Sequence, residues 1–170
     1  MSELNVNKIS HSNGTDALTI DSSGRVTRNT LPAWMIQLTG DQNFTTQDAW
    51  LDISNMTDNA TNSFIQGGIT LSSGVITVPV AGAYHVSFQS RIDAVNTGYI
   101  WVMICINDSE STGVQFNNLI GTPSATYHTL PCSGVYNLSA NDNLRVKVYS
   151  SDDTSFHCAQ QTHFSGFLIG

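Results

Sequence analysis

A chain of 170 residues is one domain with a small appendage and is long enough to bury a core. Charged residues make up 11%, against roughly 25% in ordinary globular domains, yet 40% of the chain is hydrophobic, which excludes the weakly hydrophobic, highly charged class of disordered proteins. The net charge of −7 lies beyond residue 30: Glu3, Asp16 and Asp21 balance Lys8, Arg25 and Arg28, whereas the remainder sets ten acids against Arg91, Arg145 and Lys147, an acidity that repels phosphate backbones and excludes nucleic acid as a partner.

No apolar run approaches the ~20 residues that span a bilayer, and Met1 to Ser10 lacks the apolar core of a signal peptide. Neither membrane attachment nor export is therefore expected. Leu4, Val6 and, one step out of phase, Ile9 form a first short apolar strand ending at Ser12-Asn13-Gly14. Ala17-Leu18-Thr19-Ile20 leads into Asp21-Ser22-Ser23-Gly24, a turn with glycine placed for positive φ, and Val26 lies in the extended chain that follows. Strands this small cannot bury a core alone. Leu4, Val6, Ile9, Leu18, Ile20 and Val26 must lean on their own copies, on the rest of the chain or on another protein. Thr30-Leu31-Pro32 marks a boundary, giving a leader at 1–30 and a second domain at 31–170.

The second domain begins with a strand at Trp34-Met35-Ile36-Gln37-Leu38, followed by another at Asp48 to Ile53 and a polar loop from Asn55 to Asn62. Ile69-Thr70-Leu71, Ser72-Ser73-Gly74 and Val75-Ile76 read as a hairpin with Gly74 left-handed. Then comes the clearest pattern in the chain. Ile76, Val78 and Val80 share one parity; after Ala81-Gly82, so do Tyr84, Val86, Phe88 and Ile92, with His85, Ser87, Gln89 and Arg91 opposite. Such alternation marks strands with one face in a core, and Pro79 belongs at an edge or bend. Tyr99 to Ile106 is apolar on both parities, as is Phe164 to Ile169, so both strands are expected to be covered on two sides. Asn107 to Asn117 and Gly121 to Ser124 read as polar connections, and no segment has helical periodicity.

The chain carries no nucleophile elbow, phosphate loop or dinucleotide fingerprint. Cys105, Cys132 and Cys158 lack metal or redox spacing and read as buried free thiols, with a Cys132–Cys158 bridge as the alternative. His157 and Cys158 point to opposite faces of a strand, so with His163 they do not form a metal cluster without a bend. Asp142, Asp152 and Asp153 could take calcium but read better as solvated loop acids. Trp34, Trp50 and Trp101 could stack on sugars, yet their place in strands favours core or interface roles. No cofactor, metal or catalytic residue is expected.

Residues 74–88, Gly-x-Ile-Thr-Val-Pro-Val-Ala-Gly-Ala-Tyr-x-Val-Ser-Phe, resemble the segment of complement-type globular heads in which an apolar strand meets Pro-x-x-Gly-x-Tyr-x-Phe. Val135 to Val146 resembles that family's Leu-x-x-Gly-Asp-x-Val hairpin, with Asn141 where the family usually has glycine; Phe164-Ser165-Gly166-Phe167-Leu168 is similar to its terminal strand. The resemblance covers residues 31–170 and implies an all-β fold, a ten-strand jelly-roll β-sandwich of the tumour-necrosis-factor type, assembled as a homotrimer. It places Trp34, Trp101, Met103, Ile104, Phe164, Phe167 and Ile169 in the core or the trimer interface. Val6-Asn7-Lys8-Ile9 and Gly14 to Val26 resemble the N-terminal leader of virion structural and fibre-like proteins of tailed phages, especially those of marine bacteria.

Together these readings imply a non-enzymatic virion structural protein, assembled in the host cytoplasm. It would be a trimeric short fibre, knob or decoration docked to capsid or tail proteins through residues 1–30. A receptor- or glycan-binding tail tip engaging the host surface is the alternative. A cellular signalling ligand fits less well, because the collagen repeat of such proteins is missing from this sequence.

Overall fold

The computed structural model describes residues 6–14, 16–27, 31–93, 99–118, 127–151 and 155–169. The chain divides into two compact units, Met1–Leu31 and Pro32–Gly170. The described residues contain strands and turns but no helix.

In the first unit, β1 (Lys8–Ser10), β2 (Asp16–Ile20) and β3 (Val26–Thr27) form an antiparallel sheet in that order. Ile9 stands opposite Leu18, and the register shifts just after it, between Ile9 and Ser10. The Asp21 carboxylate builds the second turn, accepting the backbone N–H groups of Ser23 and Arg25 at 2.9 Å and the Arg25 Nε–H at 2.7 Å. Those bonds, Arg25 first, hold its carboxyl below the usual range, and Gly24 takes the expected positive φ of 77°.

The second unit contains β4 (Ala33–Leu38), β5 (Gln42–Phe44), β6 (Trp50–Asp52), β7 (Met56–Thr57), β8 (Phe64–Gln66), β9 (Thr70–Ser72) and β10 (Val75–Thr77). It continues with β11 (Gly82–Asp93), β12 (Ile100–Ile106), β13 (Ser109–Asn118), β14 (Tyr127–Leu138), β15 (Asn143–Ser150), β16 (Phe156–Cys158) and β17 (His163–Leu168). They make two sheets. The six-stranded sheet runs β13-β12-β15-β10-β9, with β6 also on β15; the eight-stranded sheet runs β5-β16-β11-β17-β4-β7, with β14 on β11 and β8 on β4. The fourteen strands exceed the expected ten because short segments such as β5, β7, β8 and β16 extend the eight-stranded sheet as separate pieces.

Among the places where the chain changes sheet are the segments between β10 and β11 and between β14 and β15. Residues 135–146 are therefore not the hairpin their resemblance implied, but a crossing from one sheet to the other. The two crossings hold each other, the Asn141 N–H donating to Val78 O at 2.8 Å and the Val78 N–H to Asp142 O at 3.0 Å. Asn141 adopts φ 71°, so it meets the left-handed requirement in place of glycine. Pro79 lies in the first crossing, and Val80, beyond the strand, is exposed rather than in line with the buried Ile76 and Val78. The β9–β10 hairpin turns through Ser73 and Gly74, both at positive φ; a Cβ on Gly74 would lie 2.5 Å from Ile53 O.

Both sheets supply the core. Trp34, Ile36 and Leu38 from β4, Tyr84, Val86, Phe88 and Ile92 from β11, and Phe164 from β17 meet Val102, Ile104, Val146 and Val148 of the six-stranded sheet. The tightest approach is Trp34 over Gly166. A Cβ on that glycine would fall 2.3 Å from the indole and 2.9 Å from His85 O.

The strand at 99–106 meets the expectation of cover on both faces within a single chain. It lies in the six-stranded sheet, apart from 164–169 in the eight-stranded one. Met103 and Cys105, on the parity opposite the core residues, are fully buried by the chain's own side chains. No neighbouring subunit is needed there.

Because the indole occupies the space a methyl group would need, Gly166→Ala should destabilise the fold by about 2–3 kcal/mol. The loss should shrink by at least about 1 kcal/mol when Trp34 is already Leu. Urea unfolding of the four proteins at one concentration gives the cycle, and additive losses would contradict the close approach.

Candidate functional site

Each sheet turns one face away from the core. On the eight-stranded sheet, register places Val135, His85, Phe167 and Ala33 in one row and Ser133, Ser87, Ser165, Met35 and Phe64 in the next. Ile169 follows beside Ala83, whose carbonyl it bonds at 2.7 Å. Phe64, Val135, Phe167 and Ile169 are 45%, 63%, 49% and 56% exposed, and the His85 ring lies 5.3 Å from that of Phe167. These two rows contain no carboxylate, lysine or arginine. On an otherwise acidic domain this is an open, charge-free apolar patch.

The outward face of the six-stranded sheet is different. Tyr149 of β15 lies opposite Trp101 on one side and Trp50 on the other. With Tyr99 they form a ring cluster: Tyr99–Trp101 centroids are 4.5 Å apart, Trp101–Tyr149 5.4 Å and Trp50–Tyr149 5.5 Å. The Tyr149 hydroxyl donates to Asp48 Oδ1 at 2.9 Å, and that bond first, then burial, pushes its pKa up to about 12. Two residues further along the strands, Lys147 lies opposite Met103 and Asp52. Its ammonium reaches Glu110 at 3.1 Å and Asp108 at 3.2 Å, while Arg145 reaches Asp52 at 2.9 Å. Burial lowers the Lys147 pKa, but the bonds to Glu110 and Asp108 outweigh it and leave the ammonium above its ordinary value. Both cations of this face are thus neutralised in place.

The residues singled out in the sequence fall into four places. Trp34, Ile104 and Phe164 are core; Met103 is buried on the second face of β12; Trp101 belongs to the ring cluster; Phe167 and Ile169 are on the open patch. In the leader, Ile9 pairs with Leu18 and Ile20 with Val26, which puts all four on one face of the small sheet. Ile9 and Val26 are exposed, as is Val6, and Leu18 and Ile20 are half-buried. Leu4 lies outside the described residues. The sequence marks these leader residues but not their common face, which depends on the pairing of Ile9 with Leu18 and of Ile20 with Val26.

His157, Cys158 and His163 are not brought together. His157 Nε2 lies 2.9 Å from Asp93 Oδ2, Cys158 is buried in the core, and His163 Nδ1 lies 3.2 Å from Gln161 O. Asp142 serves its own turn, accepting the Ser139 N–H and the Asn107 Nδ2–H, each at 2.8 Å; Asp152 and Asp153 lie outside the described residues. Among the described residues no three acids, histidines or cysteines could hold a metal ion. An open cleft of about 440 Å³ is lined by amides and hydroxyls (Gln37, Asn59, Thr61, Gln160 and Gln161) with no acid–base pair or nucleophile activated beside a base.

Cys105, Cys132 and Cys158 are free and buried, so Cys132 and Cys158 are not bridged. Burial pushes their pKa values up to about 11, 12 and 12. Thiolate is the reactive form, so a thiol reagent at pH 8 should modify none of the three in the folded protein and all three in denaturant. Fast labelling of any of them without unfolding, read by mass spectrometry, would contradict the packing.

The TNF (Tumour Necrosis Factor) family model matches residues 56–169, from β7 to just past β17. That range spans more than half of the chain and includes Phe64, Val135, Phe167 and Ile169. No curated protein matches the sequence.

Proposed function

The chain belongs to the tumour necrosis factor family, and from that premise we propose that it is a non-enzymatic structural protein of a tailed-phage virion. In this reading it is a homotrimeric short fibre, knob or decoration whose residues 1–30 dock it to another virion protein. TNF-like domains commonly form homotrimers and are typically non-enzymatic. The observation that carries the reading is the open patch of Phe64, Val135, Phe167 and Ile169. Large apolar side chains left exposed on a face without carboxylate, lysine or arginine suit an interaction site, and such a face lets three copies of a chain of net charge −7 meet without like-charge contact.

The docking half of the proposal rests on the leader. Its motif resembles virion leaders, its charges cancel, and Ile9, Leu18, Ile20 and Val26 give its small sheet one apolar face. A small sheet with one apolar face suits docking on a partner's β-structure. The buried free thiols suit assembly in a reducing cytoplasm. The adhesive-tip reading is kept as the second one, because the exposed side of the six-stranded sheet carries the ring cluster.

Phe167 is half-exposed in the single chain, so a charge there should leave the core intact and disrupt only the contact between copies. The wild type should scatter light as a trimer at micromolar concentration. Phe167→Asp should be a folded monomer by light scattering and circular dichroism, whereas Phe164→Asp should not fold, since an unpaired charge in the core costs about 3–5 kcal/mol. A monomeric wild type, or a trimeric Phe167→Asp, would remove the patch as the trimer face.

Deleting residues 2–28 should leave a stable trimer that no longer joins virions, and the leader fused to an unrelated trimer should be recruited to them. Incorporation is read by gel or by density in a particle reconstruction. Full occupancy by the truncated protein would make residues 31–170 the anchor instead.

A further inference from the structure

We propose that the ring cluster of Trp50, Tyr99, Trp101 and Tyr149, with Asp48 at its edge, is a platform that binds neutral saccharides. The core is filled by other residues, and these four large rings are gathered on the side of the sheet that faces away from it. All four are half-buried, so each keeps part of its surface open. Tyr99 and Tyr149 are near-parallel, 14° apart, and Trp101 is within 27° of both. Rings that stack on one another have already lost their rotamer freedom, so a ligand need not order them.

The edge of the cluster is polar. Asp48 is held at φ 56°, its N–H donates to Ser150 O at 2.8 Å, and its two oxygens accept from the Tyr149 hydroxyl at 2.9 Å and the Gln47 Nε2–H at 3.3 Å. A carboxylate accepts up to about four hydrogen bonds, so lone pairs remain for a ligand. Apolar rings bounded by a fixed carboxylate, an amide and a hydroxyl match a pyranose, whose C–H face is apolar and whose rim is hydroxylated.

Two features select among occupants. Beyond the rings, Arg145 and Lys147 are already committed to Asp52, Asp108 and Glu110. That leaves both cations paired, so the rings and the Asp48 edge are what the described part of this face offers a ligand. Asp48 and the chain's net charge of −7 disfavour sialic acids and uronates, so the ligand is uncharged. The proposal deepens the adhesive reading by naming a ligand class. It is tested on purified protein, so its failure would leave virion incorporation and trimer formation unaffected.

The full chain is applied to an array of hexose-, N-acetylhexosamine-, sialic-acid- and uronate-terminated oligosaccharides. Neutral binders are then titrated by tryptophan fluorescence, to which Trp50 and Trp101 should contribute. Neutral-terminated oligosaccharides should be retained and acidic ones not. Trp50→Ala and Trp101→Ala should each weaken binding by about tenfold or more. Asp48→Asn, which tolerates the left-handed backbone, should weaken it while circular dichroism and oligomeric state stay unchanged. Should a tryptophan variant misfold, Asp48→Asn and Tyr149→Phe carry the same test. An array that retains no saccharide, retention of acidic sugars alone, or undiminished binding by the folded variants would each overturn the proposal; a cluster that serves a protein partner would give the blank array.

Discussion

The head is built around the contact between Trp34 and Gly166. The indole lies where any other residue's Cβ would be, and the carbonyl of His85 closes the same space from the neighbouring strand. Three adjacent strands, β4, β17 and β11, therefore converge on the space of a single missing side chain. Tyr84 and Phe164 complete the arrangement, their rings 6.3 and 5.8 Å from the indole. With Trp34 turned inward, Ala33 and Met35 must turn outward, and with Gly166 inward so must Ser165 and Phe167. The open patch is thus a geometric consequence of the core's tightest contact.

Physical chemistry treats the two outward faces in opposite ways. On the six-stranded sheet, cross-strand neighbours are long or aromatic, so Lys147, Trp101 and Tyr149 cover their own strands, and Met103 and Cys105 are buried without help. The cations there are satisfied by carboxylates on the same face. On the eight-stranded sheet the corresponding neighbours are serines, an alanine and isolated apolar side chains, too small to cover one another. Covering such a face carries little electrostatic cost, because no carboxylate, lysine or arginine has to be desolvated in the central rows.

Much of this was legible in residue order. Alternation from Tyr84 to Ile92 identified a strand whose inward residues are all buried, and Gly24, Gly74 and Asn141 announced their positive φ values through residue type alone. The reading of 99–106 was right about the cover and silent about its source. A strand apolar on both parities reports that both faces are covered, but not by whom; that depends on the register among β12, β15 and β6, strands far apart in sequence. The same register gathers Trp50, Tyr99, Trp101 and Tyr149, so the ring cluster left no local signal. Strand position suggested core or interface roles for Trp34, Trp50 and Trp101; Trp34 is core, and the other two join the cluster. The hairpin expected at 135–146 failed: the turn residues were right, and the sheet to which each arm belongs was decided by long-range pairing.

Charge separates the two units as clearly as burial does. Residues 1–30 sum to zero and the rest to −7, so the leader can approach a protein surface without long-range repulsion of its own. Its three strands are too short to stand on core energy, and their apolar residues converge on one face that its own side chains leave partly open. A segment with that composition stands to gain stability from any surface that covers its apolar face. The head, with a core drawn from two full sheets, carries no such dependence. The surfaces its core leaves over, one apolar and one aromatic, can then be given to self-association and to ligand contact without either competing with the fold.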